Sequence, residues 1–272
     1  MSLKSRFWAD LTTRDFAALD AESTVAVLPV AAIEQHGPHL PLSVDQALVD
    51  GILRTALPLL APGLPVLVLP TQAIGLSSEH ECFAGTLTFK PETLIALWTE
   101  IGECVAKAGV RKLLLFNSHG GQVGASEIVA RGLRSRCDLI VYSASWFNLP
   151  IQAELTELFS TDELRFGVHG GDVETSMMLA LRPQDVDMAA AQNFASTSMR
   201  RARDFPVLGN GKSARFGWQM QDVNADGAAG NAAAATADKG QRIIDAAARQ
   251  LALLLAELSA LPLSTLVDRP AQ

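Results

Sequence analysis

Residues 24–32 carry no charge, are rich in Val, Ala and Leu, and run straight into a loop dense with metal-ligating side chains. An apolar run of this kind reads as a buried strand, one that the rest of the chain must cover. Glu34 and His36 leave its carboxyl end two residues apart, which points them to the same side. His39 and Asp45 complete the stretch Ala31–Asp45, whose sequence is Ala-Ala-Ile-Glu-Gln-His-Gly-Pro-His-Leu-Pro-Leu-Ser-Val-Asp. Carboxylate and imidazole together suit a borderline divalent cation such as Zn²⁺ or Mn²⁺. Gly37, Pro38 and Pro41 stiffen the loop and hold Asp45 against the same point. Taken alone, the stretch also reads as an ordinary polar loop, because a short motif gains meaning only from its structural context.

The chain has 272 residues, 49% hydrophobic and 19% charged, long enough for one large core and consistent with one α/β domain over residues 1–272. A net charge of −7 argues against a nucleic-acid partner, which would require clustered basic surface, and against an anionic lipid surface. Cys82, Cys104 and Cys137 are widely spaced and include no CxxC, so neither a disulfide framework nor a thiolate zinc site is expected. Met1–Asp10 lacks the apolar core and cleavage site of a signal peptide, and a reducing cytoplasm is the expected compartment. The uncharged run Thr55–Ser78 has the length of a membrane span, but Pro58, Pro62, Gly63, Pro65 and Pro70 break any helix through it.

The pattern then alternates. Leu11–Asp20 reads as a short helix capped by Thr12 or Thr13. Ala47, Leu48, Gly51, Ile52, Ala56 and Leu59 have helical spacing after Asp45, and residues 66–69 read as a second strand. Gly75–Thr86 is a polar loop too long for a simple connector. Pro91 opens a helix that Gly109 stops, and Lys112–Phe116 is the third strand. It runs into Asn117-Ser-His-Gly-Gly-Gln, followed by a helix over Val123–Arg136. Leu139–Ser145 is a fourth strand ending at Trp146, and Gln152–Phe159 a short helix. The His169-Gly-Gly-Asp-Val-Glu-Thr-Ser segment leads into an apolar helix closed by Pro183, with Asp172 as its expected cap. Arg200, Arg201, Arg203, Lys212 and Arg215 read as a solvated loop, a subunit contact, or an anchor for an anionic substrate group. Ala232–Leu261 is a long closing helix.

All five histidines, His36, His39, His80, His119 and His169, fall in glycine-flanked polar loops rather than in apolar helix stripes. In an open α/β sheet, ligands bind at the carboxyl ends of strands, so His119 points where Glu34 and His36 point. Glu34, His36, Asp45, His119 and Glu174 supply enough donors for two metal ions if Asp45 bridges them. Such a pair shares a hydroxide and clamps a carbonyl under attack, and hydrolysis follows.

Four motifs in order, Glu34-Gln-His-Gly-Pro-His-Leu-Pro with Asp45, the Gly75–Thr86 loop, Asn117-Ser-His-Gly-Gly and His169-Gly-Gly-Asp-Val-Glu-Thr-Ser, resemble the creatininase family of metal-dependent amidohydrolases. The resemblance implies a three-layer α/β/α sandwich around a mainly parallel sheet, usually assembled as a homo-oligomer, commonly a hexamer. It implies two divalent ions, Zn with Zn, Mn or Fe. Glu34 and His119 would ligate one ion, His36 and Glu174 the other, with Asp45 between them. A metal-bridging hydroxide would be the nucleophile. His169 resembles the family histidine that polarises substrate or protonates the leaving nitrogen. The resemblance assigns Ser78 and His80 to a substrate loop, Gly120, Gly121 and Gln122 to the substrate side of the metals, and Trp146 to a wall against the substrate.

Creatinine-hydrolysing members carry a bulky aromatic and then a glutamate after the histidine matching His119, whereas this chain has Gly120 and Gly121. They also box the substrate between two tryptophans, and the second of those regions here holds Arg165-Phe166. These departures point away from creatinine and towards another small amide, cyclic or a formamide. The alternatives are a peptidase of redox-cofactor maturation and a ligand-binding relative without catalysis.

Overall fold

The computed structural model describes residues 3–267. In chain order its elements are α1 (Thr13–Ala17), β1 (Val25–Val30), α2 (Val44–Ala56), β2 (Val66–Val68), α3 (Pro91–Lys107), β3 (Lys112–Asn117), α4 (Val123–Cys137) and β4 (Ile140–Ser145). There follow α5 (Gln152–Leu158), α6 (Thr161–Phe166), α7 (Asp172–Leu181), β5 (Asn193–Phe194), α8 (Thr197–Asp204), α9 (Met220–Val223), β6 (Gly230–Asn231) and α10 (Ala237–Ala260).

Four strands form one parallel sheet in the order β2-β1-β3-β4. Val25, Val27, Leu114 and Phe116 face a core shared with α2, α7 and α10, while Ala26, Leu28, Leu113 and Leu115 face a second core shared with α3 and α4. Both faces are therefore covered, which is why β1 and β3 read as continuous apolar runs without alternation. The result is a three-layer α/β/α sandwich, as expected.

β1 leads through α2 to β2 on one side, and β3 leads through α4 to β4 on the other. The strand order thus reverses between β1 and β3, and a crevice opens beyond their carboxyl ends. Val30 pairs with Asn117 in register, so the residues just after each strand emerge side by side. That register brings the Glu34 loop against the His119 loop.

Several elements differ from the sequence reading. α1 stops at Ala17, with Thr12 as its cap in a reciprocal box with Asp15. α7 is capped by Gly171, and Asp172 is its first helical residue. α10 begins at Ala237, where the Thr236 hydroxyl accepts from Lys239 N; the preceding alanines form only a single 3₁₀ turn. α6 and α8 were not expected. Residues 55–78 divide into the end of α2, a 3₁₀ turn, β2 and a loop, and among the described residues no helix is long and apolar enough to cross a membrane.

Candidate metal centre

Glu34, His36, Asp45, His119 and Glu174 come together beyond the carboxyl ends of β1 and β3. Glu34 and Asp45 are each 1% exposed. The two elements that bring in the distant carboxylates are helices: Asp45 lies in the first turn of α2 and Glu174 in the first turn of α7. Two donor sets each have ligand atoms within 4.8 Å of one another, Glu34 with Asp45 and His119, and His36 with Asp45 and Glu174. Asp45 belongs to both. A third set joins Glu34 and His36 to His169.

Backbone carbonyls fix the tautomers, because a carbonyl only accepts and the facing ring nitrogen must carry the proton. His119 Nε2 donates to Leu76 O at 2.9 Å, so Nδ1 is the nitrogen that faces Glu34 Oε1 at 3.2 Å and Asp45 Oδ2 at 3.6 Å. His36 Nδ1 donates to Glu34 O at 3.0 Å, and its bare Nε2 is buried with no hydrogen-bond partner. Asp45 Oδ2 is likewise buried and unpartnered. His169 Nε2 donates to Gln35 O at 2.6 Å, leaving Nδ1 3.7 Å from Glu34 Oε1. Gly37 and Gly170, at φ +75° and +59°, turn the chain left-handed beside His36 and His169, a conformation that favours glycine.

Electrostatics point the same way. Burial alone would raise Glu34, but the His119, His80 and His169 imidazoles outweigh it and hold its carboxyl well below the usual range. Burial, reinforced by the Glu34 charge, pushes Asp45 well above its ordinary value, and burial also raises Glu174. Burial lowers His36, while His119 rises against burial because Glu34 stands beside it. Burial, with His36 adjacent, lowers His169 to about 4. The Asp45 and Glu174 carboxylates that resist ionising, beside the orphaned His36 Nε2 and Asp45 Oδ2, form a donor set suited to divalent cations.

The remaining expected residues divide. His80 is buried; it accepts from Gln35 Nε2 at Nδ1 (2.7 Å) and presents Nε2 to Glu34 Oε1 at 3.5 Å. Ser78 is exposed, and the neighbour that reaches the site is Ser77, whose buried hydroxyl donates to Glu34 Oε2. Gly120 and Gly121 open a 3₁₀ turn at the head of α4 and are exposed. Gln122 is fully buried with its amide committed, donating to Ala31 O and Asn117 Oδ1 and accepting from Leu76 N, so it braces the loops beneath the site. Trp146 is 4% exposed, in the core cluster of Leu149, Ile151 and Phe159 and edge-on to Phe147. The tryptophan beside the site is Trp218, edge-on to His80 at 6.2 Å between ring centroids. Asp172 is occupied by Lys239 Nζ at 2.7 Å and Ser176 Oγ at 3.0 Å.

Gln35, Ser77, Glu79, Glu163 and Trp218 were not singled out from the sequence. Gln35 had the clearest signal, lying between Glu34 and His36. Glu163 had none, because it acts from a helix nine residues before the loop it holds.

Residues 9–255 match the Creatininase family model, described as creatinine amidohydrolase. This chain belongs to the creatininase family. The creatininase-family mycofactocin precursor peptide peptidase of Mycobacterium tuberculosis is 32% identical over 246 residues, 87% of this chain and 86% of that protein. The creatinine amidohydrolase of Pseudomonas putida is 27% identical over 265 residues, covering 92% of this chain and 95% of that one. Among solved structures, a creatininase variant aligns with TM-score 0.75 at 27% identity, over 93% of this chain and 98% of that one. A manganese creatininase aligns with TM-score 0.72 at 26% identity, and a creatininase variant of Zn–Zn type with 0.71 at 26%; each alignment covers 93% of this chain and 98% of the other. The protein is thus a creatininase-family hydrolase with clustered candidate metal donors.

Proposed function

We propose that this chain is a two-metal hydrolase of a carbon–nitrogen amide bond in a small molecule, with Zn paired with Zn, Mn or Fe. The observation that carries this reading is the sharing of Asp45 between two donor sets, one buried throughout and the other with only Glu174 half-buried. His119 through Nδ1, with Glu34, would hold one ion; His36 through Nε2, with Glu174, would hold the other. When bound, such a pair activates water and polarises the amide carbonyl.

The chain's own groups supply the rest. His169 is neutral at pH 7, with Nε2 tied to the Gln35 carbonyl and Nδ1 open towards Glu34. Nδ1 is the atom that takes up a proton and delivers it to the leaving nitrogen. The Gly120 and Gly121 N–H groups start a helical turn and have no intrahelical acceptor, so they are donors for a developing oxyanion. His80 and Trp218 wall the substrate side, and Ser78 stands at its rim. The exposed apolar side chains of Phe205, Val207, Leu208 and Phe216 around α8 support assembly as a homo-oligomer, which light scattering tests.

Two substrate classes compete. Gly120 and Gly121 in place of an aromatic and a glutamate favour a non-peptide amide other than creatinine, cyclic or a formamide. The 32% identity to a mycofactocin precursor peptide peptidase favours a peptide from cofactor maturation. The metal-reconstituted protein, with a chelated control, is incubated with formamides, cyclic amides including creatinine, and short peptides, and products are identified by mass spectrometry. Metal-dependent formate release or ring opening supports the first class, and peptide cleavage the second. Product formation that survives complete metal removal would rule out the two-metal reading.

A further inference from the structure

A Cβ built on Gly121 would fall 1.8 Å from Glu79 Oε1 and 2.6 Å from His119 Nε2. Gly121 is not among the residues with positive φ, so backbone strain does not account for glycine there. Space does: the Glu79 carboxylate occupies the volume a side chain at 121 would need. Its Oε1 lies 3.3 Å from His119 Nε2, with Glu79 14% exposed and His119 4% exposed. The opposite edge of the same imidazole, Nδ1, faces Glu34 and Asp45.

We propose that Glu79 is a positioning residue of the metal centre, its carboxylate sharing the Nε2–H of His119 so that Nδ1 is held aimed at the ion between Glu34 and Asp45. The inference rests on the two-metal reading above. Leu76 O already accepts the same proton, which fixes the tautomer; the Glu79 charge adds basicity at Nδ1 and holds the ring plane. Glu79 is well placed to do this because it sits in the short Ser78–His80 turn. On either side of it, Ser77 Oγ donates to Glu34 Oε2, and His80 Nε2 lies 3.5 Å from Glu34 Oε1. The turn is stitched in place from outside the site: Ser77 N donates to Thr88 Oγ1 at 2.8 Å, and Phe89 N to Gly75 O at 2.9 Å. Gly75–Thr86 is therefore a wall of the metal centre as well as a substrate loop.

The test measures Zn²⁺ stoichiometry and affinity by competition with a chromophoric chelator, for the wild type, Glu79→Ala and Glu79→Gln. The wild type binds two ions. Glu79→Ala loosens one of them by about 10–100-fold, the range for losing a carboxylate behind a histidine ligand, and leaves the other unchanged. Glu79→Gln keeps shape and an acceptor but not charge, and loosens that ion less. Gly121→Ala, which puts a methyl group where the carboxylate lies, reproduces the loosening with Glu79 intact. Both ions held as tightly in the two Glu79 variants as in the wild type, even with turnover lost, would overturn the proposal, and so would equal loosening of both. A wild type holding fewer than two ions would instead defeat the two-metal reading itself, before any variant is compared.

Discussion

Asp45 is a buried carboxylate beside the buried carboxylate of Glu34, with one oxygen unpartnered. If that oxygen belongs to both ions, Asp45→Asn lowers the affinity for both, whereas Glu174→Ala lowers it for one. Metal analysis after dialysis separates the two, and a Glu174→Ala protein with unchanged metal content and turnover would remove Glu174 from the ligand set. His39 offers a pH test outside the ligand set. It is buried against Thr175 Oγ1 at 2.9 Å, and burial lowers its pKa from 6.5 to about 4. The unfolded chain then binds the proton first as pH falls, so the stability from neutral His39 is complete above about 6.5 and is lost as pH falls towards 4. Melting of the chelated protein across that window should show a shallower fall for His39→Gln than for the wild type; equal slopes would mean that His39 does not titrate there. The candidate donors were legible in the sequence because Glu34, His36 and His119 follow apolar strands and Asp45 and Glu174 stand beside them in motifs rich in histidine, glycine and proline. Glu79 was not. In Ser-Ser-Glu-His-Glu, Glu79 and Glu81 look equivalent, and only the 3₁₀ turn sends one to His119 and leaves the other exposed.

Among the elements, α7 depends most on a side chain from elsewhere. The buried Glu163 of α6 accepts from Asp172 N and Asn231 N at 2.7 Å each, joining the head of α7 to β6. Gly171 and Gly230 leave room for that carboxylate, since a Cβ on either would lie 2.2 or 2.7 Å from Glu163 Oε1. Glu163→Ala strands two backbone N–H groups, at roughly 1–3 kcal/mol each for buried unsatisfied donors. A loss of about 2–6 kcal/mol in urea unfolding is expected, with weaker binding of the ion at Glu174; a loss under about 1 kcal/mol would mean that water replaces the clamp. Legibility at this scale follows the punctuation. Pro91 at the first position of α3 and Gly109, at φ +87° beyond its end, set boundaries that sequence alone locates. α6 has six residues, too few for a periodic signal, although Ser160 caps it. α8 presents arginines where an apolar stripe would be sought, and its amphipathic character is invisible to a search for buried faces.

At the scale of the whole molecule, the candidate metal centre is backed by a helix that contributes no donor to it. α10 packs on both α7 and α2, which carry Glu174 and Asp45. The sequence foretold a long closing helix but not where it would lie, because strand order, register and helix–helix docking are long-range choices without a local signature. Gly240 marks the closest approach: a Cβ there would meet Ser176 O at 1.9 Å, backbone that no side-chain rotation relieves. Helix propensity alone favours Gly→Ala by about 0.8–1 kcal/mol, whereas overpacking that forces a backbone shift costs about 1–3 kcal/mol. The clash wins, so Gly240→Ala is expected to be destabilising in urea unfolding. Because Ser176 lies two residues from Glu174, the displaced α7 should also loosen the ion of the His36–Asp45–Glu174 set and spare the one beside His119. Gly132→Ala on α4, with no atom within 4 Å of the new methyl, is the control and should leave stability unchanged or slightly raised. If both substitutions stabilise, α7 and α10 are free to slide, and the position of Glu174 is set by the Glu163 clamp rather than by packing on α10.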